Sequence, residues 1–362
     1  MVDSHAKRPL VSVIVPARNE ETCLGRCLES LRRQDGVSFE IIVVDDESSD
    51  RTREIAESFA GVKVIEAEAL PVGWSGKTNA MASGARVARG AWLLFTDADT
   101  VHFPGSLARA IAEAKQNCAT LLSYSPAQEV HGFWQKAVMP AIFAELAASY
   151  RPSEVSNPAS AVAAANGQYL MLTREAYDAV GGHTAIANSL LEDVALARAV
   201  KASGRKIFFR FGGDVVRTRM YRSFTELTEG WTKNLVLLFS SPLRLAVLRF
   251  LEFVLITGSM AELINAVLHG RTQVAVASAV VALILGGVFW KRIRRAHFCW
   301  DANALALLGL PLFSYLLLRS CLFHKKGHVT WKGRRYKEGV SQQQSPKPLG
   351  DRPDAGATSW SI

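Results

Sequence analysis

Asp97 and Asp99 sit two residues apart in AWLLFTDADT, directly after the apolar run 91–95. In an extended segment, side chains two apart point the same way. Like charges held that close are costly unless a cation or a proton joins them. Hard divalent cations take oxygen ligands, and Mg2+ characteristically uses one or two carboxylates together with substrate phosphates. The pair therefore suits a diphosphate–metal clamp, with turn-forming aspartates as the plainer alternative. A second apolar run, FEIIVVDDESSD, ends in Asp45 and Asp46. A carboxylate there can accept hydrogen bonds from a nucleobase or ribose, while the Asp and Ser residues that follow equally suit a helix start. A third, VSVIVPARNEE, ends in a polar loop. In SLLEDVALARAV, Glu192 and Asp193 open a helical pattern. A carboxylate within reach of a hydroxyl can take its proton, and partial burial raises its pKa usefully. Matching the helix dipole is the alternative reading of the same pair. GKT at 76–78 invites a phosphate-loop reading, but the required glycine at position 71 is Pro71, which rejects it.

Such groups need a scaffold. The runs 10–15, 39–44, 62–67 and 91–96 read as strands. Leu24, Cys27, Leu28 and Leu31 recur at helical spacing, and helices are expected over 51–59 and 77–89. This alternation predicts an α/β fold with a mixed, mainly parallel sheet and helices on both faces. Ligands on such sheets bind beyond the carboxyl ends of the strands, where the polar residues above lie. Further on, GQYLMLT and KIFFRF read as strands, and a helix closes at Gly204.

The second half of the chain changes character. Over 221–242, Phe224, Leu227, Trp231, Leu235 and Leu238 share one helical face, the pattern of a membrane-interface helix or of an ordinary amphipathic surface helix. Residues 272–290 and 302–323 are apolar and long enough to span a bilayer. The stretch 243–268 carries Arg249, Glu252 and Glu262 and reads as a third span or an interfacial helix. The expected organisation is a catalytic domain at 1–220, an interfacial helix at 221–242, a membrane region of two to three spans at 243–323, and a basic, largely disordered tail at 324–362. Net charge is +9, but after residue 240 there are 16 Lys/Arg against 6 Asp/Glu, so the first 240 residues sum to −1. A basic excess confined there favours a membrane surface over nucleic acid. Both 291–295 and 325–337 are basic, so charge bias does not choose a topology. The five cysteines include no C-x-x-C and read as reduced thiols.

VSVIVPARNEE, VVDDESSD and FTDADT, in this order and spacing, resemble the family-2 glycosyltransferases of the GT-A (Rossmann-like) fold over roughly residues 10–240. The resemblance implies a nucleotide-sugar donor, UDP-linked by best guess. By motif position it implies that Asp46 contacts the uracil and that Pro16, Ala17, Arg18 and Glu20 line the nucleotide pocket. It places Asp97 on the ribose or the metal, and Asp99 on the Mg2+ or Mn2+ of the diphosphate. It makes Asp193 the base, with Glu192 in support. The GWSGK stretch is similar to the branch that modifies lipids such as carotenoids and hopanoids, and would set Lys77 on a donor phosphate or leave it solvated at a helix start. His183 is an acceptor contact or a structural histidine. The Q/R-x-x-R-W motif of processive synthases is broken, since Gly230 precedes Trp231. Trp231 then lines the acceptor site or anchors the interface. The expectation is an inverting, metal-dependent enzyme that moves one sugar to the hydroxyl or carboxyl group of a lipid. It would be a multi-pass protein of the inner membrane with its catalytic domain cytoplasmic. A short-chain glycan synthase and a non-catalytic nucleotide-sugar binder are the alternatives.

Overall fold

The computed structural model describes residues 9–326 and two short paired strands, Val329–Trp331 and Arg334–Tyr336. Apart from those strands, the expected tail lies outside the described residues from 327 onward.

The strands are β1 (Val11–Ala17), β2 (Phe39–Asp45), β3 (Val62–Glu66), β4 (Trp92–Phe95), β5 (Thr100–His102), β6 (Leu121–Ser125), β7 (Ala127–Gln128), β8 (Leu170–Thr173), β9 (Ile207–Phe211) and β10 (Val216–Thr218). Seven form one sheet in the order β3-β2-β1-β4-β8-β6-β9. β1 to β4 pair in parallel, β8 runs antiparallel to both β4 and β6, and β6 and β9 are parallel. The mixed, mainly parallel sheet expected from the sequence is present, with strand limits shifted by one or two residues. β5, β10 and β7 make a small second sheet beside it.

Helices α1 (Leu24–Arg32), α2 (Thr52–Glu57), α3 (Gly76–Val87), α4 (Ser106–Gln116), α5 (Gly132–Ser149), α6 (Pro152–Val155), α7 (Arg174–Ala179), α8 (Gly182–Ala185) and α9 (Glu192–Ala202) complete the body. Period-two alternation explains how they cover the sheet. Val11, Val13 and Val15 of β1 join a core with Leu24, Leu28 and Leu31 of α1 and Leu107 of α4. Ile14, facing the other way, packs with Met81 of α3 and Leu196 of α9.

Four further helices follow: α10 (Phe224–Leu238), α11 (Pro242–Leu268), α12 (Thr272–Ile293) and α13 (Trp300–Lys325). The apolar face of α10 does not meet solvent or lipid as an interfacial helix would. Leu227, Trp231 and Leu235 are buried in a third core, with Val138 and Ile142 of α5 and Phe313 and Leu317 of α13. Only Phe224, at its first turn, stays exposed. Amphipathic spacing reports one apolar face but not what covers it. Among the described residues, two helices are long and apolar enough to cross a membrane: Thr272–Ala296, 6% buried, and Trp300–Lys325, 50% buried.

Candidate active site

The polar strand ends converge on one cavity of about 1250 Å³. Pro16, Ala17, Arg18 and Glu20 reach it from the end of β1, and Asp46 from the end of β2. Lys77 enters from the first turn of α3, Asp97 and Asp99 from the end of β4, and Glu192 and Asp193 from the first turn of α9. Trp231 of α10 forms part of the wall.

At one end, the loops after β1 and β2 are stitched together. Arg18 Nη1 donates to the Asp46 carbonyl at 3.1 Å and lies 3.8 Å from the Asp46 carboxylate. Asn19 Oδ1 accepts from the Ser49 amide at 2.8 Å, and the Glu20 amide donates to Thr52 Oγ1 at 2.7 Å. Glu20 also accepts from Cys23 Sγ, and burial together with that carboxylate pushes the thiol's pKa up, keeping it protonated. The run Ser48–Ser49–Asp50 does less for α2 than for this stitching: α2 begins at Thr52, whose amide and hydroxyl both bond Asp50.

In the middle, Lys77 joins the carboxylates of Asp97 and Glu192. Its Nζ lies 2.7 Å from Asp97 Oδ1 and 3.0 Å from Glu192 Oε1. Burial works against its charge, but the neighbouring carboxylates outweigh that and hold its pKa well above the usual lysine range. Lys77 is thus not simply a solvated lysine at a helix start: it lines the cavity and is held by two carboxylates. Asp193 Oδ2 accepts from the Gly167 amide at 2.8 Å, and its Oδ1 from the Val194 amide at 2.8 Å. Burial raises the Asp193 pKa to about 6, reinforced by the Glu192 charge and opposed by Lys77 and the two amides. Burial pushes Glu192 the same way, but Lys77 and Lys233 overcome it and keep that carboxylate ionised. A Cβ on Gly167 would stand 3.3 Å from Lys77 Nζ and 3.6 Å from the carboxylates of both Asp193 and Glu192. An added methyl would touch all three charged groups, and Lys77 Nζ is the one that would have to give by a few tenths of an ångström.

Asp97 and Asp99 share the cavity for a different reason from the one their spacing suggested. The strand ends at Phe95, and a turn closed by the Thr100 amide and hydroxyl on the Asp97 carbonyl separates the two aspartates. As for a metal, the donor set is of hard carboxylate oxygens, which fits Mg2+ or Mn2+. Among the described residues no group of three or more His, Cys, Asp or Glu side chains forms an ion site by itself. Two carboxylates with the remaining ligands drawn from a diphosphate is the arrangement that Mg2+ favours.

Two expected roles are corrected. His183 lies under the site and does not line it: it is fully buried, shares a hydrogen bond of 3.0 Å with the Tyr177 hydroxyl, and meets Phe95 edge-on. Burial lowers its pKa to about 4, so it is a neutral core residue and not an acceptor contact. Trp231 is 2% exposed, with Nε1 donating to Met139 Sδ at 3.3 Å, so it is no interface anchor, although it does wall the cavity.

Other wall residues were not singled out in the sequence. Lys233, two residues past Trp231, is buried beside Glu192, which partly offsets the lowering of its pKa by burial. Phe143, Leu146 and Leu238 line an apolar arm that runs to Gly287 and Trp290 of α12, with Lys291, Arg294 and Arg295 around it. The KRIRR run was visible in the sequence, but only as a flank of an apolar helix. Its place beside the strand ends follows from the packing of His297 on Phe211 at 4.2 Å.

Residues 12–181 match the family described as Glycosyl transferase family 2. The 4,4'-diaponeurosporenoate glycosyltransferase of Staphylococcus haemolyticus (strain JCSC1435) is 32% identical over 244 residues, covering 64% of this chain; the chain spans 62% of that relative's length. The protein of the same name from Staphylococcus aureus (strain USA300) is 26% identical over 344 residues, covering 92% of this chain and 89% of the relative. Among solved structures, a mannosyltransferase from Pyrobaculum calidifontis in complex with GDP-Man and Mn2+ superposes with a TM-score of 0.52 at 18% identity, over 88% of this chain and 87% of the other. That last likeness is one of fold.

Proposed function

We propose that this chain, whose residues 12–181 match the family 2 glycosyltransferase model and whose fold is GT-A-like, is a glycosyltransferase that moves one sugar from a nucleotide-sugar donor to a lipid acceptor at a membrane surface. The observation that carries this reading is the continuity of the cavity. One space joins Asp46, Asp99 and Asp193 to an apolar arm walled by Phe143, Leu146, Leu238 and Trp290. A polar donor and an apolar acceptor can meet there. Both curated relatives are named for 4,4'-diaponeurosporenoate, a lipid-like carotenoid acceptor, which supports the same class here.

In this mechanism Pro16, Ala17, Arg18, Glu20 and Asp46 hold the nucleotide, UDP in our reading. Asp99, with Asp97, would hold Mg2+ or Mn2+ at the donor diphosphate. Such a metal neutralises the charge of the leaving group. Lys77 holds Asp97 and Glu192 at a fixed separation. Asp193 takes the proton of an acceptor hydroxyl, and its raised pKa suits that task near neutral pH. The two backbone amides on its oxygens fix the direction of its free lone pairs. Inversion at the sugar carbon follows when acceptor and leaving diphosphate lie on opposite sides of it. Lys233 and Trp231 bound the side from which the acceptor enters. Nucleotide sugars are cytoplasmic, so the catalytic domain belongs on the cytoplasmic face of the cell membrane.

The test is to incubate membranes containing the full chain with radiolabelled UDP- and GDP-sugars and to extract with organic solvent. Label should enter the organic phase as a species carrying a single sugar. Label recovered as an aqueous polymer, or release of free sugar alone, overturns the proposal.

A further inference from the structure

We infer that the bilayer is entered by the helical hairpin α11–α12, which crosses and returns, while α13 lies along the catalytic body without crossing, so that the chain leaves α13 on the catalytic side. This rests on the membrane part of the proposed function and says which elements carry it. It departs from the hydropathy order, in which 302–323 is a firm span and 243–268 an uncertain one.

The two ends of α13 decide the point. Near its start, Asp301 pairs with Lys136 of α5 at 2.6 Å, and Phe298 packs on Phe143. At its far end, His324 Nε2 bonds the Lys233 carbonyl at 2.9 Å and Ser320 Oγ donates to the Thr232 carbonyl at 2.7 Å. Phe143 and Lys233 both line the catalytic cavity. A helix of 26 residues is about 39 Å long. With both ends pinned beside one cavity, it lies across the body and does not lead away from it. Midway, Gly309 approaches α5 so closely that a Cβ would stand 2.0 Å from the Ala137 carbonyl oxygen. Half of its apolar window is already covered by protein.

The hairpin is different. Its lower half packs on α13, where Ala246 and Ile256 of α11 join the third core, and at its base Arg249 and Glu252 of α11, Arg292 of α12 and Glu145 of α5 form one ion-pair cluster, with contacts of 2.6 to 3.4 Å. From the tip, Arg271 reaches back to Glu262, six residues before the end of α11, at 3.0 Å. Between these ends, residues 273–290 of α12 carry no charge. Eighteen such residues rise about 27 Å, close to the roughly 30 Å hydrocarbon core of a bilayer. Their surroundings are apolar and uncovered: Leu255 is 57% exposed, Ile264 61%, Leu283 76% and Val288 60%. A soluble monomer rarely leaves so long an apolar face bare. In α12 the charges stand only at base and tip, where the two headgroup layers of a bilayer would lie. In α11 the one charge between them, Glu262, is neutralised by Arg271, and Lys291, Arg294 and Arg295 at the base complement anionic lipid there.

The experiment labels cysteines with a membrane-impermeant maleimide in intact cells and again after permeabilisation. The exposed Cys118 and Cys299 are replaced by Ser in the full chain, and a single reporter is added. His269→Cys and Gln273→Cys mark the tip, two reporters guarding against one perturbed variant; Lys326→Cys marks the end of α13. Retaining Cys118 in a parallel sample marks the catalytic body. The tip reporters should react in intact cells, whereas Lys326→Cys and Cys118 should react only after permeabilisation. Reaction of Lys326→Cys in intact cells means that α13 crosses, and overturns the inference. Tip reporters protected until permeabilisation overturn it as well, because the hairpin then does not reach the far side. Release of the protein into the soluble fraction by a carbonate wash also overturns it, since a second copy or another protein then covers the hairpin. Labelling does not read turnover, so its failure and the failure of the proposed reaction are separate results.

Discussion

Two of this molecule's clusters of opposite charges differ in their surroundings. At the base of the hairpin, Arg249 and Arg292 face Glu145 and Glu252, two against two, with side chains 13 to 16% exposed. In the cavity, Lys77 alone bridges Asp97 and Glu192, with Asp99 and Asp193 lining the same space. The first cluster is closed: its charges satisfy one another, and it works as a strut. The second sets carboxylates close together at a buried cavity wall, and burial, reinforced by the Glu192 charge, raises the pKa of one of its members, Asp193, to about 6. Buried carboxylates held that close cost stability unless a cation or a ligand relieves them, so a perturbed titration separates a site from a strut where hydrogen-bond geometry alone does not.

The comparison can be broken at several points. The largest effect is expected from Asp193→Asn, which removes the proposed base. Turnover should fall by roughly 10² to 10⁴-fold, while titration with unreactive nucleotide should show donor affinity unchanged. Next is the strut. Glu145→Gln leaves both arginines short of a partner, and breaking a buried pair costs about 3 kcal/mol or more. Thermal unfolding in detergent should show that loss, with donor binding at the far end of the cavity kept; a stable variant with weakened donor binding would exchange the two assignments. Smaller is the effect of pH. Asp193 must be deprotonated to accept a proton, so activity should fall as pH drops through about 6. Lys77→Met removes the cation that lowers this pKa, so the acid limb of the rate profile should move upward by roughly one unit; an unmoved limb would dissociate Lys77 from the site. The smallest is Gly167→Ala. The added methyl stands 3.3 to 3.6 Å from Lys77 and both carboxylates, so a few-fold loss of turnover with an unchanged unfolding temperature should show that the site, and not the fold, feels it.

Much of the first half of the molecule was legible in the sequence. β1, β2 and β4 announce themselves as apolar runs because a strand buried on both faces has no polar face to alternate with. Their carboxyl ends then gather Asp46, Asp97 and Asp99 as any mainly parallel sheet gathers them. The turn between Asp97 and Asp99 was not legible, since a hydroxyl bonding back to a carbonyl competes with continued extension. Partners were harder still. The helical stripe of Leu227, Trp231 and Leu235 was read correctly as one face, yet it meets α5 and α13 where a membrane surface was expected. His183 carried no sign of facing inward, and Gly167 no sign of being the point where three charged groups crowd together.

Local burial patterns and the succession of strands and helices along the chain are properties of neighbouring residues, so the amino-acid sequence by itself determined the α/β body, the polar rim of its sheet and the apolar helices that follow. Which charges meet is a property of the folded chain. Lys77 finds Asp97 and Glu192, Arg292 finds Glu145 and Glu252, and α13 turns back along the body, only once distant segments have packed. Electrostatic coupling falls off within a few ångströms of separation while chain distance places no such limit, and for that reason the site's charge balance was decided by the tertiary structure alone.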